Sequence, residues 1–213
     1  GVPETAFFIN NKDSIDLRWF TPDLEMDLCG HATLATAHVL KSILNYLPNI
    51  IKFNTCSGQL IVTYKNNFYY LDLPSRKALP STLPDIIRLA LNIQPNEVLK
   101  SRDYMLIYEN QKQIEELKID RVIFDQINLG CGGLIVTAQG NVTDFVSRFF
   151  TPQATILEDP VTGSAHCSLT PYWSSVLNKK DLEAFQISDR GGYLKCKDMS
   201  DRVIIAGKAE SVL

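Results

Sequence analysis

Arg18-Trp19-Phe20-Thr21-Pro22 returns 130 residues later as Arg148-Phe149-Phe150-Thr151-Pro152, with one aromatic residue exchanged for another. A repeat fixes the architecture, so it is settled before any secondary structure is assigned. Two further matches follow in the same order. Gly30-His31-Ala32 pairs with Gly163-Ser164-Ala165 at an offset of 133, and Gly58-Gln59-Leu60 pairs with Gly192-Tyr193-Leu194 at 134. Ordered matches whose offset drifts by only a few residues indicate one duplicated unit with small loop insertions.

Both units read alike. In the first, the runs 5–9 and 15–20 flank Asn10-Asn11-Lys12-Asp13, which predicts a hairpin; in the second, 133–138 and 142–150 flank Gln139-Gly140-Asn141 in the same way. Each hairpin is followed by a loop, a glycine, a helix and three more strands, over 50–55, 60–64 and 68–73 and then over 184–188, 193–197 and 203–206. Neither 30–40 nor 160–178 contains a charged residue, so both helices are expected to be buried on all sides, each wrapped by its own strands. The expected fold is therefore α+β, with two pseudo-symmetric domains, each a curved, mostly antiparallel sheet around a central helix. The domains are expected at 1–77 and 78–213, with the last strand able to return to the first domain and Pro74, Pro80 and Pro84 marking the seam. The second unit has additional leading residues, with a helix predicted at 83–91, a strand at 104–108 and a helical stretch at 112–117.

Composition narrows the function. The 213 residues are 45% hydrophobic and 21% charged, enough for a substantial core, and the net charge of −3 without a basic block gives no footprint for nucleic acid. No apolar run is long enough to span a bilayer, and no secretion signal is visible. The five cysteines, at 29, 56, 131, 167 and 196, form no C-x-x-C pair, so they are expected to be reduced thiols rather than a disulfide framework or a zinc site. No P-loop, G-x-G-x-x-G, H-E-x-x-H or G-x-S-x-G motif is present.

The chemistry-bearing residues gather at the matched glycines. Asp159-Pro160-Val161-Thr162-Gly163-Ser164-Ala165-His166 sets a carboxylate ahead of a predicted helix start, whose unpaired N–H groups suit a ligand carboxylate or phosphate. The plainer alternative is that Asp159 or Thr162 caps the helix. Cys29-Gly30-His31-Ala32-Thr33 is the counterpart and follows Glu25 and Asp27. If a pseudo-two-fold brings the two helix starts together, His31 and His166 both belong near one site, whereas His38 lies inside the first helix and reads as core. Glu4 stands at the edge of the first strand, where a solvated charge is the plain reading. Cys29 reads either as a nucleophile or proton carrier or as a small buried side chain.

Taken together, Arg18-Trp19-Phe20-Thr21-Pro22, Asp27-Leu28-Cys29-Gly30-His31-Ala32-Thr33, Ser147-Arg148-Phe149-Phe150, Glu158 to His166 and Arg190-Gly191-Gly192 resemble the PhzF-like (phenazine biosynthesis-like) isomerase family. The resemblance runs from residue 1 to the end and implies the diaminopimelate epimerase fold, with the active site in a cleft between two pseudo-symmetric domains. It makes Glu4 the proton-transfer carboxylate and carries the family's Gly-His pair onto Gly30 and His31, its Asp onto Asp159 and its Ser onto Ser164. Cys29 and Asp159 fall where related epimerases use two cysteines, which argues against a two-thiol racemase. Pro3 replaces the usual Ser, and Thr155 the usual Gly. Family members begin about 40 residues earlier, so the first unit is expected to lack its start, with an intact length of roughly 255 residues.

The expected activity is cofactor-independent proton transfer on a small carboxylated substrate. Glu4, Asp159 and His31 are the expected catalytic residues, and Gly30, Gly163 and Ser164 the substrate-binding ones. A base such as Glu4 works best with its pKa raised toward 7 by enclosure. The remaining alternatives are an amino-acid epimerase of the same fold and an inactive binding homologue. No metal, cofactor, nucleic-acid or membrane partner is expected. A second copy of the chain in a homodimer and a cytoplasmic location are expected.

Overall fold

The computed structural model describes residues 4–11, 14–21 and 25–211; Pro3 and Pro22 lie outside these. Thr5–Asn10 (β1) and Ile15–Phe20 (β2) form the first hairpin, with Ile15, Leu17 and Trp19 turned inward by the two-residue alternation. The short Glu25–Met26 (β3) also pairs with β2. Gly30–Ser42 (α1) then crosses over to Ile50–Thr55 (β4), which runs parallel to β2, and Gly58–Lys65 (β5) and Phe68–Pro74 (β6) complete an antiparallel meander. A helix is the usual link between parallel strands, because a tight turn cannot reverse the chain twice.

Leu79–Pro80 (β7), Asp85–Ala90 (α2), Glu97–Lys100 (β8), Tyr104–Ile107 (β9), Gln111–Glu116 (α3) and Arg121–Phe124 (α4) come next. The second unit then repeats the first pairing by pairing. Leu134–Gln139 (β10) and Phe145–Phe150 (β11) form a hairpin; His166–Leu177 (α5) crosses to Asp181–Gln186 (β12), parallel to β11; Gly192–Asp198 (β13) and Arg202–Gly207 (β14) finish the meander. The other edge of β14 pairs with β6, from Arg202 opposite Pro74 to Gly207 opposite Tyr69. Apart from β3, all strands therefore lie on one path, β1-β2-β4-β5-β6-β14-β13-β12-β11-β10-β9-β8-β7. The architecture is α+β with a mixed sheet. One apolar cluster runs through both units around α1 and α5, while α2, α3 and α4 cover the outer face of β9 to β11 through Ile87, Ile114 and Phe124.

Three details depart from the sequence reading. β11 begins at Phe145 rather than at 142, because Asp144 N–H is taken by Glu183 O and Val142 is 92% exposed in the loop. α5 begins at His166, after a tight turn in which His166 N–H donates to Gly163 O and Cys167 N–H to Ser164 O. Burial on all sides holds for residues 166–171 of α5, whose end leaves Ser175 and Val176 exposed, and α1 leaves Ala35 and Ser42 exposed.

Pro171, inside α5, has no N–H to give to Cys167 O one turn back, and that carbonyl accepts Arg76 N–H at 2.9 Å instead. The segment after β6 is thus tied to the first turn of α5. No helix among the described residues is long and apolar enough to cross a membrane.

Candidate active site

The two loops that lead into the helix turns are built alike. Glu25 stands five residues before Gly30 and Glu158 five before Gly163. Arg18 on β2 grips both carboxylate oxygens of Glu25, and Arg148 on β11 grips both of Glu158, at 2.8 Å each. Such bidentate pairs fix direction as well as charge. Arg148 also donates to Ile114 O and Leu117 O, closing the end of α3.

These loops deliver two helix turns whose backbones nearly touch. A Cβ built on Gly30 would lie 3.0 Å from Gly163 Cα, and one on Gly163 would lie 3.1 Å from Gly30 Cα, so a side chain at either position would force the two turns apart. The N-cap positions, Cys29 for α1 and Ala165 for α5, make no side-chain cap. Neither Asp159 nor Thr162 caps α5, which settles that alternative. Both turns border a shared cavity of about 750 Å³ lined by Glu4, Gly30, His31, Asp159, Gly163 and Ser164, all six of the residues singled out from sequence. Arg102 and Cys29 also line it.

Glu4 Oε2 lies 3.0 Å from His31 Nε2 as an ion pair, but off the hydrogen-bond line, so this buried oxygen has no hydrogen-bond partner among the described residues. Burial works against the charge of His31, but the neighbouring Cys29, Glu4 and Asp159 outweigh it and hold the imidazole well above its ordinary pKa. Burial raises the pKa of Asp159; the His31 charge and the Thr162 hydroxyl, which donates to Asp159 Oδ2 at 2.7 Å, work the other way. Gln186, fully buried on β12, accepts Thr162 N–H at 2.7 Å and donates to Asp159 O at 2.7 Å, pinning the loop from beneath. The matched glycines place Thr162 rather than Asp159 opposite Cys29; Asp159 stands three residues earlier and joins the site through Thr162.

The donor atoms of Glu4, Cys29 and His31 lie within 4.8 Å of one another, a grouping that could hold a metal ion. Cys29 Sγ is 3.6 and 3.9 Å from the two ring nitrogens of His31, beside the ring rather than along the Nε2 lone pair that a shared ion would need. All five cysteines are free thiols.

His166 does not join the cavity. Its ring is fully buried, Nδ1 donates to Thr162 O at 2.8 Å, and Nε2 has no hydrogen-bond partner among the described residues. Burial pushes its pKa down to about 4. The folded state thus excludes a proton that the unfolded chain binds below about pH 6.5, so this contribution to stability is complete above 6.5 and is lost as pH falls toward 4. The difference is roughly 3 kcal/mol. Urea titrations from pH 7 to pH 4 are expected to show a steep loss of stability for the wild type and a shallower one for His166→Gln; equal slopes would exclude His166 as the cause. His38 is half-buried, hydrogen-bonded to Tyr69 and Ser211.

Residues 1–213 match the profile of the phenazine biosynthesis-like protein family. The chain belongs to this family. This PhzF-like protein is 44% identical over 209 residues to an uncharacterized isomerase of Pseudomonas aeruginosa, with 98% of this chain and 80% of the relative covered. A crystal structure of a PhzF family phenazine biosynthesis protein from Enterococcus faecalis superposes with a TM-score of 0.90 at 42% identity, covering 98% of this chain and 80% of the other. A hydroxyproline epimerase from Agrobacterium vitis shares the fold, with a TM-score of 0.63 at 10% identity over 100% of this chain and 74% of its own. The PhzF-like protein thus joins a family of isomerases whose fold is also that of epimerases and racemases. Its sequence reading missed Gln186 and Arg102, two polar residues that hold the glycine turns in place.

Proposed function

We propose that this PhzF-like protein moves a proton between two positions of a small carboxylated substrate, with Glu4 as the proton-transfer group. The observation that carries the reading is Glu4 in the cavity wall beside two uncapped helix turns, its buried Oε2 3.0 Å from His31 Nε2 and without a hydrogen-bond partner among the described residues. A ligand carboxylate would sit on the N–H groups around Gly30 and Gly163 and on the Ser164 hydroxyl. The same preorganised donors would stabilise negative charge that develops when a neighbouring carbon loses its proton. Glu4 takes that proton and returns it elsewhere on the same molecule. The charged His31 pairs with Glu4, and Asp159, whose pKa is raised by burial, fixes a substrate hydroxyl or amino group. No cofactor takes part in this scheme.

Cys29 Sγ on the cavity wall, 3.6 Å from His31 Nε2, favours a second reading, an epimerase that works through one thiol and one carboxylate. The two part company in D2O. A panel of unsaturated, 2-amino and 2-hydroxy carboxylates followed by NMR is expected to yield a positional isomer, carrying solvent deuterium only in the fraction of turnovers in which the proton on Glu4 exchanges before it is returned, at a rate unchanged in Cys29→Ala. Deuterium confined to an inverted stereocentre and lost in Cys29→Ala would establish the epimerase instead.

A further inference from the structure

Arg102 has no place in that scheme, yet it is a nearly buried cation on the wall of the cavity, with a side chain only 14% exposed. It sits between β8 and β9 and is held from behind. Fully buried Asp103, itself fixed by Gly133 N–H at 2.8 Å, receives Nε and Nη2 of Arg102 at 3.1 to 3.3 Å. Nη2 also donates to Ser164 Oγ at 3.0 Å. Since that oxygen is accepting, the Ser164 hydrogen is left to donate into the cavity.

Nη1 is the loosely used end. Its hydrogen-bond contact is a 3.5 Å approach to Asp27 Oδ1, and Asp27 is 41% exposed and more closely paired with Arg76 Nη2, at 3.1 Å. A guanidinium carries five N–H donors in a planar fork shaped to meet a carboxylate. Here Asp103 and Ser164 occupy one side of the fork, and the other side has only this long contact.

We propose that Arg102 is the charge-selecting residue of the site: Nη1, together with the Ser164 hydroxyl that Nη2 orients, takes one oxygen of the substrate carboxylate, displacing the 3.5 Å contact to Asp27. Asp27 is then an internal competitor that fills the place when no substrate is present. This deepens the proposed function, since it rests on the cavity being the substrate site, and it restricts the substrate to molecules that are anionic at this end.

The full chain is titrated by calorimetry with anthranilate and with its neutral counterpart, 2-aminobenzamide. Wild type is expected to bind the carboxylate at least tenfold more tightly than the amide. Arg102→Gln is expected to lose that preference while leaving amide affinity unchanged, and Arg102→Lys, which keeps the charge without the fork, to recover part of it. Asp27→Asn is expected to tighten anthranilate binding severalfold, because the competing charge is gone, and it serves even if Arg102→Gln does not fold. Equal weakening of both probes in Arg102→Gln would make the residue merely structural and overturn the proposal, as would weaker anthranilate binding in Asp27→Asn. If those variants keep the carboxylate preference while Glu4-dependent deuterium transfer persists, Arg102 falls and the isomerase stands. If wild type does not prefer the carboxylate, both fail.

Discussion

Glu4→Gln is expected to fold normally and to isomerise its substrate about 10³-fold more slowly than wild type, within the range that positioned acid–base groups contribute. The amide has the shape of the carboxylate and keeps the wall of the cavity intact, so substrate affinity should change little and the loss should fall on kcat. Stability should move by no more than about 1 kcal/mol, since one partly exposed ion pair with His31 is removed. A second signature follows at His31. Burial opposes its charge, and the neighbouring Cys29 and Glu4 raise its pKa; without the Glu4 carboxylate, one of the two is gone. Its imidazole resonances should therefore titrate at lower pH in the variant. A Glu4→Gln protein that turns over at the wild-type rate in single-turnover assays would remove Glu4 from the chemistry.

Gly30→Ala carries the second large effect. Alanine is the better helix former by up to about 1 kcal/mol, and on a free helix it would stabilise. Here its methyl group would stand 3.0 Å from Gly163 Cα and 3.6 Å from Ser164 N, with backbone on the receiving side and no side chain able to swing away. The two turns must separate by a few tenths of an ångström. Overpacking of this kind costs about 1 to 3 kcal/mol, so the net loss of stability should be about 1 kcal/mol. The methyl group also stands beside Ser164 N–H, one of the donors assigned to the ligand carboxylate. Loss of one preorganised donor lowers turnover by about 10²-fold. Steady-state kinetics beside a urea midpoint separates the two effects, and a variant with wild-type turnover would exclude these N–H groups from substrate binding.

The fold was legible because both units carry the same strand, loop, glycine and helix signals, and the matched offsets located them without a secondary-structure scale. Five of the six cavity residues were legible for the same reason, in the matched segments around Gly30 and Gly163; Glu4, just ahead of β1, was legible only through the family resemblance, because a solvated charge is its plain reading. What escaped was polar groups whose role depends on distant partners. Gln186 occupies an inward position on an alternating strand, and nothing local marks it as the clamp of Asp159 and Thr162, more than twenty residues earlier in the chain. Arg102 and Asp103, adjacent in a loop, read as solvated charges until the fold buries them against Ser164. His166 misled in the opposite sense. It shares the matched segment, but α5 starts late enough to turn its ring inward against Phe145.

The pairing of β6 with β14 sets a folding order. Residues 68–74 meet 202–207 across more than 120 intervening residues, and such non-local ladders form slowly because the loop between them must close first. During synthesis β6 waits with an open edge until β14, more than 120 residues later, has emerged. Open edges of this kind recruit other strands. The interval before β14 arrives is therefore when the nascent chain is most exposed to aggregation. Crowding, temperature or a slow ribosome should act on yield through this interval, before the two units are joined edge to edge.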